Sequence, residues 1–84
     1  MKLSIKGFAL AGAIVWGLGM CLVIIANTIS PGYAVDFLTV MGSIYPGFEY
    51  GQGANSIIVG TLYGVVDAGI AGAVFAWLYN CLAR

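Results

Sequence analysis

From Ile5 to Ile29 the chain is apolar on every side of a helical projection, broken mainly by small residues. From Ala54 to Leu82 the same pattern returns, interrupted by Tyr63, Asp67, Tyr79 and Asn80. Each segment exceeds the roughly 20 residues needed to cross ~30 Å of hydrocarbon. Lipid offers the backbone no hydrogen bonds, so both are predicted as helices rather than strands. The expected fold class is an all-α membrane protein: one domain, residues 1–84, built as a two-helix transmembrane hairpin. Glycines such as Gly12, Gly19, Gly64 and Gly69 would weaken a helix in water. They are ordinary in a membrane helix.

The connection over residues 30–53 has a pattern of its own. Pro31-Gly32 breaks the first helix, and Val35, Phe37, Leu38, Met41, Ile44 and Tyr45 then recur at mostly three- and four-residue intervals. That spacing predicts a short amphipathic helix lying in the outer membrane interface, with a mobile surface loop as the alternative. Pro46-Gly47 stops it, and Gly51-Gln52-Gly53 leads into the second long helix.

Composition points the same way. The chain is 62% hydrophobic and 7% charged, with no histidine. A soluble domain carries about a quarter charged residues, so the expected solvent is the lipid bilayer. Net charge is zero and no basic cluster occurs, so nucleic acid is not an expected partner. Lys2 and Lys6 precede an apolar run from Gly7 to Ala26, longer than the roughly 7–15 residues of a signal-peptide core. Ala26-Asn27-Thr28 is a poor cleavage site, and the run reads as a retained signal anchor. Lys2, Lys6 and Arg84 flank the two ends, whereas the connection holds Asp36 and Glu49 but no Lys or Arg. The positive-inside rule therefore places both termini in the cytoplasm. Cys21 and Cys81 fall about 20 Å apart in depth in such a hairpin, too far to bridge.

A stripe of small residues four apart runs along the second helix: Gly60, Gly64, Ala68, Gly72 and Ala76, extended by Asn80. Ala9, Ala13, Gly17 and Cys21 form a matching row on the first. Small faces let helix backbones approach and gain van der Waals contact. They predict tight packing within one chain or a homo-oligomer.

Asp67, with Trp16 and Tyr63, supplies the polar groups expected inside the membrane. A carboxylate at that depth costs about 2.5–3.5 kcal/mol on insertion scales, which the surrounding hydrophobes offset. It still requires a partner, and it lies beside the small stripe, toward a protein contact. Trp16 sits at a similar depth, and its indole N–H is the expected donor to Asp67. The residue reads either as structural glue or as an ion site, although no second titratable group stands near to form a relay. Trp77 and Tyr79 read as an aromatic anchor at the inner interface. No catalytic motif, metal cluster or cofactor motif is found, and no enzymatic activity is expected.

Three blocks carry a resemblance. They are Ala11-x-x-x-x-Trp16-Gly17-Leu18-Gly19, then Gly42-Ser43-Ile44-Tyr45-Pro46-Gly47-Phe48, and Gly60-x-x-x-Gly64-x-x-Asp67-Ala68-Gly69-x-x-Gly72 with Phe75-Ala76-Trp77-Leu78-Tyr79-Asn80. Through them nearly the whole chain resembles a family of small prokaryotic two-helix membrane proteins, some labelled bacteriophage holins. The resemblance implies a bacterial or archaeal inner membrane and, from the holin label, pore formation by oligomers. Holins commonly end in a charged tail, whereas this sequence closes on Cys81-Leu82-Ala83-Arg84. Rotor-ring subunits of ATP synthases are similar only in architecture, with a mid-membrane carboxylate on the second helix. Their short basic loop and glycine-run first helix do not occur here. The leading expectation is a non-catalytic membrane subunit packing against itself or a larger respiratory or photosynthetic complex. A holin-like pore former comes second, and an ion-translocating ring subunit using Asp67 third.

Overall fold

In a computed structural model, described for residues 2–83, the chain forms α1 (Ile5–Ile29), α2 (Val35–Ile44) and α3 (Ala54–Leu82), with no strand among the described residues. Arg84, one of the residues on which the expected orientation rests, lies outside the described residues. Two of the helices, α1 and α3, are long and apolar enough to cross a membrane. Only 22% and 17% of their most apolar stretches are buried. The core helix of a water-soluble protein would be mostly covered.

Ser4 starts α1 by accepting the Gly7 N–H at 3.0 Å, which satisfies one of the free donors of the first turn. At the other end Asn27 extends its amide to the carbonyls of Pro31 at 3.2 Å and Tyr33 at 2.8 Å. A proline there cannot continue the helix, and the Asn27 amide supplies donors to the carbonyls of the turn that follows. Ala34 then takes a left-handed conformation, with φ 56°, to launch α2. Such a backbone is costly for a residue with a side chain. Asp36 in the first turn of α2 complements the positive end of its dipole.

Low-numbered residues of α1 meet high-numbered residues of α3. Leu3 bonds Asn80, Phe8 stacks on Phe75 with centroids 5.2 Å apart, and Ile24 lies over Gly60. The two helices therefore run in opposite directions along a shared seam. Gly60, Gly64, Gly72 and Ala76 of α3 are buried, as are Ala13 and Gly17 of α1, while Ala9 and Ala68 are half-buried. Gly60 receives Ile24, Gly64 receives Met20, Gly69 meets Ala13, and Gly17 meets Val65. The two backbones come closest at Gly72, where an added methyl would sit 2.9 Å from the Phe8 carbonyl oxygen. Gly12 does the same work from α1: a methyl there would stand 3.0 Å from the Ala68 oxygen.

The connection packs against the pair of long helices. The molecule measures 48 × 19 × 17 Å, while α3 alone accounts for about 43 Å of rise. Residues 30–53 therefore add little length and fold back along the sides of α1 and α3. The physical reason is the space left by glycine. The Phe48 ring lies over Gly60, and Leu38, Tyr45 and Phe48 close with Met20 and Ile24 into one buried cluster.

Candidate functional site

Halfway along the long helices lies a chain of three hydrogen-bonded side chains. The Trp16 indole N–H donates to the Tyr45 hydroxyl at 3.1 Å, and that hydroxyl donates to Asp67 Oδ2 at 2.8 Å. Each group comes from a different element. Trp16 lies on α1, Tyr45 at the C-terminal cap of α2, and Asp67 on α3, about 20 Å from its first residue. The direct contact expected between Trp16 and Asp67 does not form. Tyr45 stands between them and serves both.

Aromatic rings hold Tyr45 in this position. It stacks on Tyr63, centroids 5.0 Å apart and planes at 6°, and meets Phe48 edge-on at 6.5 Å. Tyr63 in turn donates its hydroxyl to the Pro46 carbonyl. Phe37 of α2 packs edge-on against Trp16 at 6.3 Å. Tyr45 is 4% exposed, and burial is the first cause pushing its phenol above the ordinary value of 10.0. The bond accepted from Trp16 pulls it down, and the bond to Asp67 with that carboxylate's charge raises it again.

Asp67 is held on one side only. Oδ2 accepts from Tyr45, while Oδ1 has no hydrogen-bond partner among the described residues. The residue is exposed, as are Ile70 at 61% and Val74 at 54%, one and two turns further on, and the small Ala71 between them. The relay thus fixes the orientation of a carboxylate and leaves half of it open on an apolar surface. Chemically it can accept a hydrogen bond or face a cation. It offers no activated nucleophile.

Several polar residues organise the ends of the structure. Asn80 pairs with both backbone groups of Leu3, accepting its N–H at 2.7 Å and donating to its carbonyl at 2.9 Å. Ser56, 1% exposed, accepts from the Gln52 N–H at 2.8 Å and donates to the Glu49 carbonyl. Trp77 and Tyr79, the expected inner anchor, are exposed near the end of α3. Sequence reasoning singled out Asp67, Trp16 and Tyr63 but missed Tyr45, Gly12, Asn27 and Ser56. The one signal for Tyr45 was its place as the last apolar position of the connection's pattern, directly before Pro46-Gly47. No family model matches the chain, and neither a curated protein nor a solved structure matches it.

Proposed function

We propose that the chain is a two-pass integral membrane protein acting as a non-catalytic subunit of a larger membrane assembly. It is a hairpin with both termini on the cytoplasmic side of a bacterial or archaeal inner membrane. One observation carries the reading. The small-residue face of α3 is already filled from within, by Ile24, Met20 and the Phe8–Ala9 backbone, yet the outward surface stays apolar all round, from Ile14, Val15 and Leu22 to Ile58, Leu62 and Val74. Such a surface is untenable in water and natural in lipid or against other membrane helices. With the GxxxG element of Gly60 and Gly64 already filled from within, contact with other subunits falls to that outward surface.

The test is a tagged copy expressed at native level, extracted from alkali-washed membranes in mild detergent, and weighed by native mass spectrometry. A stoichiometric complex with another membrane protein is the expected result. Release by alkali would overturn membrane insertion. A pure homo-oligomer whose induced expression collapses the membrane potential would establish the holin-like reading. Labelling of Asp67 by a carbodiimide in a pH-dependent way would favour an ion-translocating ring subunit.

A further inference from the structure

The open half of Asp67 says what kind of helix belongs beside it. We infer that the face formed by Asp67, Ile70, Ala71 and Val74 docks a transmembrane helix of a different protein, one carrying a basic side chain at mid-depth. This rests on the two-pass reading given above and names the chemistry of the partner.

Three observations lead there. The carboxylate is already oriented, since Tyr45 holds Oδ2 and so fixes where Oδ1 points. The strip beyond it is apolar and exposed, with Ala71 small enough for a close backbone approach. Charge complementarity then decides between a second copy and another protein. The basic residues of this chain, Lys2, Lys6 and Arg84, stand at its two ends. Lys6 lies level with the Phe75–Asn80 stretch of α3, because Leu3 bonds Asn80 and Phe8 stacks on Phe75. Asp67 is at least about 12 Å further along. A parallel copy would therefore bring Lys6 too low, and an inverted copy would miss by a similar distance on the other side. The hydroxyls and indole at the right depth, on Tyr45, Tyr63 and Trp16, already have acceptors within their own chain. The counter-group has to come from elsewhere, and an ammonium or guanidinium is the group that an oriented carboxylate in lipid attracts most strongly.

The experiment uses the whole chain reconstituted in lipid vesicles with fluorescent leucine–alanine transmembrane peptides, with energy transfer as the readout of association. One peptide carries a central lysine, one a central leucine, and one a lysine near its end. The central-lysine peptide should associate about five- to thirty-fold more tightly than the central-leucine peptide, the span of one good interhelical polar contact. The end-lysine peptide should resemble the leucine control. Asp67→Asn keeps the acceptor for Tyr45 and should abolish the preference. Ala71→Phe leaves the carboxylate intact but blocks approach, and should weaken the central-lysine peptide by about ten-fold. Equal binding of the lysine and leucine peptides would overturn the inference, as would a preference that survives Asp67→Asn. So would self-association that depends on Asp67 and excludes the peptide. Vesicle flotation is run on the same samples: protein that fails to insert counts against the two-pass reading, whereas insertion without a lysine preference counts against this inference alone.

Discussion

Tyr45 carries two hydrogen bonds in opposite senses, and neither neighbour has another partner for those atoms among the described residues. Tyr45→Phe keeps the ring stacked on Tyr63 but leaves the Trp16 indole N–H and the Asp67 carboxylate unsatisfied. Leaving a polar group unpaired away from water costs about 1–3 kcal/mol. The variant should lose that much stability in a detergent-unfolding titration, and more than Trp16→Phe, which orphans nothing charged. An equal loss in the two variants would show that Tyr45 is no relay. The phenol also makes an alkaline prediction. Its folded pKa lies above the usual value of 10.0, so the folded state holds the proton more tightly. That stabilising share is whole below pH ~10 and fades as pH rises through the raised folded value. Tyrosinate absorbance should therefore include a component from Tyr45 titrating above its usual value, and Tyr45→Phe should remove that component. Thr61 presents the opposite case: its hydroxyl oxygen is buried with no hydrogen-bond partner among the described residues. Replacing it by the isosteric valine removes an unpaired polar atom without changing shape. Thr61→Val should raise stability by about 1 kcal/mol in the same titration.

At the scale of the elements, the seam between α1 and α3 sorts its glycines by what an added methyl would meet. At Gly72 that methyl presses on the backbone of Phe8 and Ala9, which cannot rotate away. Gly72→Ala should force the helices apart and cost about 1–3 kcal/mol, as overpacking does. Gly19, whose methyl would meet nothing within 4 Å, should accept alanine with a small gain from helix propensity. Unfolding of the two variants side by side in mixed micelles checks the pair, and a Gly19→Ala loss as large as that of Gly72→Ala would deny the seam. Much of this level was legible in the residues. The spans of α1 and α3 follow from apolar length, and the stripe from Gly60 to Ala76 marks the buried face because four-residue spacing keeps small side chains on one side. Gly12 was not legible, since the row through Ala9, Ala13 and Gly17 bypasses it and only the crossing of the two helices brings it to Ala68. The fold-back of residues 30–53 was hidden for a different reason. An amphipathic pattern tells which face of a helix is buried and not against what, and only the turn into α3 brings Gly60 under Phe48. Asp67 was recognisable as an anomaly, whereas its partner was not, because Tyr45 counted as one more apolar position in the predicted amphipathic helix and its spacing did not show what it packs against.

For the molecule as a whole, the proposed insertion has to fit a body 48 Å long to ~30 Å of hydrocarbon. With α3 rising about 43 Å, the excess is taken up by tilt or by ends that stand in the headgroups and water. One end holds Asn80 fastened to Leu3, with Lys2 beside it in sequence and the exposed Cys81 one residue beyond Asn80. The opposite end carries the exposed Glu49, whose carbonyl accepts from Ser56 near the start of α3. If the basic end faces the cytoplasm, as the positive-inside rule requires, the two free cysteines become reporters that need no engineering. Cys81 should react with a membrane-impermeant maleimide in inside-out vesicles and stay unlabelled in right-side-out vesicles. Cys21, half-buried within α1 and away from either end, should react in neither until detergent is added. Glu49→Cys should show the reverse of Cys81, reacting only in right-side-out vesicles. The three patterns are linked, because a two-pass chain must put Cys81 and residue 49 on opposite sides. Labelling of both from one side would mean that only one of the long helices crosses, and the outward apolar surface of the other would then need a protein cover.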